Sequence, residues 1–207
     1  LSVDNRKDLW HPTIIPYAGT GLLLFEKMRE DLSRTTDIFM TDITNPDYEL
    51  AASITNRFHF SRLLDATRGP DGSIHLLFES KSGNDQQNLF HGIYDPVDQT
   101  LTDVSQVAEG LRLAAMGRLE VTASNEIFVF WFENYGYSGS YQMGIHWTKS
   151  TETGWQAPQL LTSSTQQQQT GNWMNRQFAW YIFDTEVMDD GRVMLVYIED
   201  SYLTQCI

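Results

Sequence analysis

The chain has 207 residues, of which 41% are hydrophobic and 13% aromatic, enough to build a folded core and too many for a disordered tail. Asp and Glu number 27 against 14 Lys and Arg, and the net charge of −13 argues against nucleic acid or an anionic membrane surface as the main partner, because like charges repel. The single cysteine, Cys206, allows no internal disulfide, and the longest apolar runs, such as residues 127–132, have the length of a strand and not of a membrane span.

Four segments share one pattern, in which a turn residue precedes an apolar, aromatic-rich run that ends in an acidic residue. They are residues 19–26, 72–79, 125–133 and 191–199. One aromatic column runs through the four segments, at Phe25, Phe78, Trp131 and Tyr197. The column recurs after 53 residues, again after 53, and then after 66. Such self-similarity at a fixed period indicates a repeat architecture.

Shorter extended segments flank each of these core strands. A preceding strand is predicted at residues 11–17, 61–67, 117–123 and 179–187. A third strand is predicted at residues 37–43, 88–94 and 141–148, and a fourth at 48–55, 101–107 and 155–161. Asn, Asp, Pro and Gly separate them, which is turn chemistry. No segment has a convincing helical pattern, and four strands in a period near 50 residues predict a β-propeller.

The fold class predicted is therefore all-β, with antiparallel four-stranded blades at about residues 9–56, 57–109 and 111–164 and part of a fourth at 177–207. Two ring sizes fit. The chain is expected to be part of a six- or seven-bladed propeller, as a processed chain or a piece of a longer one. Alternatively, residues 202–207 and 1–5 complete the fourth blade and close a four-bladed ring.

The core strands are apolar on both faces and do not alternate. This pattern predicts strands buried between neighbouring blades. The aromatic column is expected to pack between blades, because large aromatic side chains dominate core energetics.

The turn Ser150-Thr151-Glu152-Thr153-Gly154-Trp155 resembles the Asp-box of sialidase-like propellers, with Glu152 in place of Asp and the Trp directly after the Gly. The opening His11-Pro12-Thr13-Ile14-Ile15-Pro16 also resembles a first blade strand of that family. The resemblance implies an extracellular or cell-surface propeller that binds or cleaves glycans. The Phe/Tyr-Arg-Ile-Pro motif of sialidases is absent, so sialidase activity itself is not implied.

Polar side chains on the first strands of propeller blades can face the central channel. His11, Arg62 and Arg118 have that position, and Arg176 lies just before the fourth such strand. Guanidinium groups bind carboxylates in bidentate fashion, so Arg62 and Arg118 are candidates to hold an acidic sugar. The alternative is that they pair with the nearby Asp65 or Glu120.

Two further features are candidates for chemistry. Acidic residues end the core strands at Glu26, Glu79, Glu133 and Glu199, and paired carboxylates can hydrolyse glycosides. Recurrence in every blade favours a structural or solvated role. Residues 165–176 interrupt the repeat, and Trp173 there could stack on a sugar ring, with a solvated loop as the alternative.

No metal or cofactor site is predicted. The histidines are scattered along the sequence, and His75 is expected to be a buried, hydrogen-bonded core residue. The sequence therefore supports two hypotheses: a propeller that recognises or hydrolyses carbohydrate or glycoconjugate, and a non-catalytic scaffold for protein interaction. The remaining blades of a parent chain are possible further partners, and fold alone does not decide between the two functions.

Overall fold

The structure is a computed structural model that describes residues 10–28, 36–44, 52–55, 61–81, 87–111, 114–134, 140–167 and 183–197. Within these ranges it contains strands and turns and no helix, so no helix there could cross a membrane. The strands form four antiparallel sheets that follow one another along the chain.

The first and second sheets each have four strands in sequence order. The first sheet contains β1 (Trp10–Tyr17), β2 (Thr20–Met28), β3 (Thr36–Asp42) and β4 (Ala52–Ser53). The second contains β5 (Ser61–Arg68), β6 (Ile74–Lys81), β7 (Gln87–Asp95) and β8 (Thr100–Leu111).

The third sheet contains β9 (Ala114–Val121), β10 (Ile127–Asn134) and β11 (Ser140–Thr151), and β11 also pairs with β12 (Gly154–Trp155) and β13 (Gln159–Gln167). The single fourth strand expected at residues 155–161 is thus two strands, separated by Pro158, which lacks an N–H for the ladder. The interruption expected from Thr165 also begins later, because the long β11 pairs with Thr165, Gln166 and Gln167. The fourth sheet consists, in the described residues, of β14 (Phe183–Val187) and β15 (Val193–Tyr197).

The turn residue that starts each repeat has a left-handed backbone. The φ angles are +80° at Gly19, +89° at Gly72, +62° at Asn125 and +82° at Gly191. Glycine adopts this conformation without cost, and asparagine tolerates it better than most residues. The repeated Gly/Asn position therefore fixes the tight turn between the first two strands of every sheet.

Three apolar clusters lie between successive sheets. One combines β2 and β3 with Phe78 and Leu76 of the second sheet, and the next joins Leu77 to Leu119 and Trp131 of the third. The last joins Phe130 and Phe132 to Phe183 of the fourth sheet. Since no sheet buries its apolar faces alone, stacking of neighbouring blades supplies the core.

The aromatic column is buried in three sheets, and two of its members, Phe78 and Trp131, pack in the clusters between sheets as predicted. Phe25, Phe78 and Trp131 are buried, and each stacks on the ring opposite it on the third strand. These partners are Phe39, Phe90 and His146, at centroid distances of 5.9, 5.6 and 5.6 Å. Tyr197 departs from the prediction and is 42% exposed, on a sheet of two described strands.

Candidate functional site

A cavity of about 270 Å³ lies where the first strands of three sheets come together. Its lining comes from β1, β5 and β9, namely Pro12, Thr13, Arg62, Leu63, Leu64, Met116 and Arg118. The two arginines are the charged members of this lining. The structure thus brings together Arg62 and Arg118, which the sequence assigned to a shared channel, although their role in binding stays a prediction.

Arg62 is paired with a buried carboxylate, that of Glu79, which the sequence had not suggested as its partner. Its Nη2 lies 3.1 Å from Oε2 of Glu79, whose side chain is fully buried. The two residues face each other directly in the β5–β6 register. Glu79, at the end of the core strand, therefore anchors a cavity-lining guanidinium, which is a specific role and not a solvated one.

Arg118 connects the third sheet to the fourth. Its Nε donates to Asp184 Oδ1 at 2.8 Å, and its Nη1 donates to the carbonyl of Gly117 at 3.0 Å. This hydrogen bond from Arg118 is the main reason why the pKa of Asp184 is lowered. This hydrogen-bonded partner was not suggested from sequence, because Asp184 lies 66 residues away along the chain, but the charge of Arg118 also acts on Asp65, which was suggested.

Asp65 is a half-buried carboxyl that links the second and third sheets. Its Oδ2 accepts the backbone N–H of Leu119 at 2.8 Å, and its Oδ1 accepts that of Ala66 at 2.9 Å. Burial raises the pKa of Asp65 to about 6, although both hydrogen bonds and the charge of Arg118 act to lower it. A protonatable carboxyl close to a guanidinium and a cavity is typical of functional sites.

A β-bulge gives Asp65 this orientation. The β5–β6 register shifts between Leu63 and Asp65, so that Leu64 is an extra residue in β5. Leu63 packs in the first apolar cluster and Leu64 against the second, and Asp65 then also points to the third sheet. Bulges commonly re-aim a side chain in this way, and no simple sequence signal marks this one.

Glu120 is the second carboxyl with a raised pKa. Burial is the first cause, and the charges of Asp65, Glu186 and Asp184 add to it, whereas a hydrogen bond from Thr185 opposes it. Thr185 Oγ1 donates to Glu120 Oε1 at 2.7 Å. Asp65, Glu120, Asp184 and Arg118 are together called the carboxylate cluster below. The sequence predicted Arg118 as a ligand-binding residue and Asp65 and Glu120 only as alternative partners for the arginines, and it did not point to Asp184.

The other residues that the sequence offered as candidates for binding or catalysis are mostly outside the part of the chain whose side chains the structure describes. His11 belongs to β1, but its side chain lies outside the described residues, as do Trp173, Arg176 and Glu199 entirely. Glu26 accepts the backbone N–H of Leu63 at 2.8 Å, so it holds two sheets together and is not solvated.

Two histidines that are 16 residues apart in sequence meet in the fold. His75 Nδ1 and His91 Nε2 are 2.9 Å apart. His75 is buried and hydrogen-bonded, as predicted. Among the described residues no group of three or more His, Cys, Asp or Glu could hold a metal ion.

The fold matches those of solved hydrolases at low sequence identity. An endo-arabinase from Bacteroides thetaiotaomicron superposes with a TM-score of 0.56 at 15% identity, over 97% of this chain and 80% of that one. A thermostable family-43 glycoside hydrolase superposes with a TM-score of 0.52 at 14% identity, over 92% of this chain and 65% of that one. A puromycin hydrolase superposes with a TM-score of 0.50 at 12% identity, over 91% of this chain and 27% of that one. No family model and no curated protein matches the sequence.

These likenesses show the fold, an all-β propeller of the kind found in glycoside hydrolases. They lend no support to the sialidase-like family that the Asp-box-like turn resembles. The Asp-box-like turn is a hairpin in the structure, in which Thr151 and Gly154 pair and Gly154 has a φ of +135°. Its residues do not line the cavity.

Proposed function

We propose that this protein binds carbohydrate in the cavity between β1, β5 and β9 and hydrolyses a glycosidic bond at the carboxylate cluster. The observation that carries the proposal is the position of Arg118, which lines the cavity, binds Asp184 and acts on Asp65. Cavity and carboxyl groups therefore belong to one site. The resemblance in fold to an endo-arabinase and a family-43 glycoside hydrolase supports the same class of substrate.

The chemistry follows from the different environments of the acids. Glycoside hydrolysis needs one protonated carboxyl to donate to the leaving oxygen and one ionised carboxylate on the other side of the bond. Asp65, with its raised pKa, is proposed as the acid, and Asp184, with its lowered pKa, as the ionised group. Groups whose pKa values are pushed apart in this way are suited to opposite roles.

The proposed substrate is a neutral sugar. Arg62 and Arg118 each have a carboxylate partner, so their charge is already balanced. Their N–H groups are proposed to donate to sugar hydroxyls, and His11, Trp173 and Arg176 remain proposed contacts. The acidic-sugar alternative predicts tighter binding of uronic or sialic acids. An extracellular or cell-surface location belongs to the same proposal.

The test is a panel of neutral, uronic-acid and sialylated oligosaccharides, with binding measured by calorimetry and hydrolysis by release of reducing ends. Wild-type protein is expected to bind a neutral member, and R118M to weaken that binding at least tenfold. D65N is expected to abolish hydrolysis while binding persists. E126Q, at an exposed glutamate paired with Lys149, and R192M, at an exposed arginine, are the matched controls.

Three outcomes separate the hypotheses. Absence of binding across the panel contradicts the proposal and favours the protein-interaction scaffold. Binding without turnover in the wild type restricts the function to recognition. Equal hydrolysis by D65N and wild type rejects Asp65 as the acid.

A further inference from the structure

A chain of hydrogen bonds runs from the surface into the second sheet. It begins at the exposed Asp71, whose Oδ1 accepts Ser73 Oγ–H at 2.6 Å. Ser73 Oγ lies 2.9 Å from His75 Nε2, and His75 Nδ1 lies 2.9 Å from His91 Nε2. Both histidines are buried, with 5% and 3% of their surface exposed.

The ionised Asp71 sets the direction of every bond in this chain. A carboxylate can only accept, so Ser73 uses its one proton on Asp71. Ser73 must then accept from His75 Nε2–H, which leaves His75 Nδ1 as an acceptor for His91 Nε2–H. Each ring carries one proton in this arrangement, and the pair is neutral.

The inner end of the chain touches the next sheet. The ring of His91 lies edge-to-face with Trp155 of β12, at a centroid distance of 5.5 Å. Trp155 in turn donates its Nε1–H to Ser105 Oγ of β8 at 2.9 Å. Trp155 also packs against the cluster between the second and third sheets, so it covers His91 and closes that junction.

We propose that the His75–His91 pair is an acid-sensitive latch, which holds Trp155 on the second sheet when neutral and releases it when the pair takes up a proton. Among the residues that the structure describes, no carboxylate is in direct contact with either ring, so the charge of an imidazolium here would have no adjacent counterion. Asp71 faces the pair only through Ser73, from the β5–β6 turn; β8 contributes the neutral Ser105 and β12 the neutral Trp155. Movement of Trp155 admits water to His91 and solvates the charge.

The pH range in which the latch opens follows from the lowered pKa values of the two histidines. Burial lowers the pKa of His75, and burial together with the charge of His75 lowers the pKa of His91 to about 3. The unfolded or opened chain, with ordinary histidines near 6.5, therefore takes up protons first as the pH falls. The closed state loses stability below pH ~6.5 and is fully stable above it.

The experiment compares wild type, H91F and D71N between about pH 7.5 and pH 5, with H146F as control because His146 is another histidine with a burial-lowered pKa. The readouts are Tm and the indole Nε1–H signal of Trp155, assigned with W155F. The wild-type Tm is expected to fall by about 4 °C more than that of H91F, with broadening of the Trp155 signal. D71N should increase the acid-induced fall in Tm, because it removes the Asp71 carboxylate, which favours the charged form of His75 in the folded protein.

The two variants keep the proposal falsifiable even if H91F does not fold, since Asp71 is exposed. A Trp155 signal that does not respond to pH in wild type overturns the latch. A response that is as large in H91F as in wild type, or that H146F removes, overturns it as well. The latch does not depend on the proposed carbohydrate site, and none of these readouts involves a sugar.

Discussion

Oδ2 of Asp65 accepts a hydrogen bond of 2.8 Å from the backbone N–H of Leu119, so a carboxyl on one sheet holds the first strand of the next. Hydrogen bonds to carboxyl oxygens also connect the sheets at the neighbouring junctions. Glu26 accepts from the backbone N–H of Leu63, and Glu120 accepts from the hydroxyl of Thr185. Acidic side chains thus connect each of these sheets to the first strand of the next, and the site and the sheet junctions share residues.

Asp65 should make stability depend on pH with a definite sign. Its folded pKa of about 6 lies above the unfolded value of 3.8, so its contribution is fully present below pH 3.8 and is lost as the pH rises through about 6. Over that range the wild type is expected to lose up to about 3 kcal/mol relative to D65N. The measurement is urea unfolding of both proteins from about pH 4 to 7.

In that comparison the informative quantity is the change in the free energy of unfolding with pH, and not its value at any one pH. Asparagine cannot accept from both Ala66 and Leu119, so D65N starts with a loss of about 1–3 kcal/mol. Parallel pH profiles for the two proteins would contradict the raised pKa.

The proposed acid also predicts how hydrolysis depends on pH. Because only protonated Asp65 can donate to the leaving oxygen, kcat/KM should fall about tenfold per pH unit above about 6. The rate is measured on the substrate found in the oligosaccharide panel. A rate that stays constant to about pH 8 would assign the proton to another group.

Arg118 is predicted to control two carboxyl groups in the same direction. In R118M the pKa of Asp184 should rise towards its ordinary value, and the pKa of Asp65 should rise further above about 6. Carboxyl ¹³C titration by NMR measures both. The control R192M should raise the pKa of Asp190, its own partner, and leave the other two unchanged.

Arg62 and Glu79 form a partly buried pair whose disruption should be costly. R62M removes the guanidinium from a fully buried carboxylate and is expected to destabilise the protein by about 3 kcal/mol. In the double variant R62M/E79Q the buried charge is gone, so part of that loss should be recovered. Additive losses in the double-mutant cycle would show that the two side chains are not coupled.

Gly117 is predicted to be required for close packing of β9 on the second sheet. A Cβ there would lie 2.7 Å from Leu77 Cδ2 and 3.0 Å from Leu64 Cβ. G117A should therefore cost about 1–3 kcal/mol through overpacking. G191A is the comparison, with open space but a φ of +82°, so its cost of about 1–2 kcal/mol is conformational. Truncation of Leu77 to Ala should reduce the destabilisation caused by G117A and leave the destabilisation caused by G191A unchanged.

The sequence by itself determined the repeat and hence the fold. Gly19, Gly72, Asn125 and Gly191 set left-handed turns that depend on one residue each, and the apolar core strands after them need two covered faces. Both signals are local, so they can be recognised without knowing which blades meet. The blade rhythm therefore predicted the sheets that the structure contains.

The tertiary structure alone decided which groups form the site and the histidine pair. Arg118 meets Asp184 across 66 residues, Asp65 meets Leu119 across 54, and an inserted Leu64 turns Asp65 towards the third sheet. His75 and His91 likewise meet because β6 and β7 are paired in one register. Such contacts depend on sheet register and on how sheets stack, and a bulge of one residue redirects a side chain, so the pattern along the chain does not specify them.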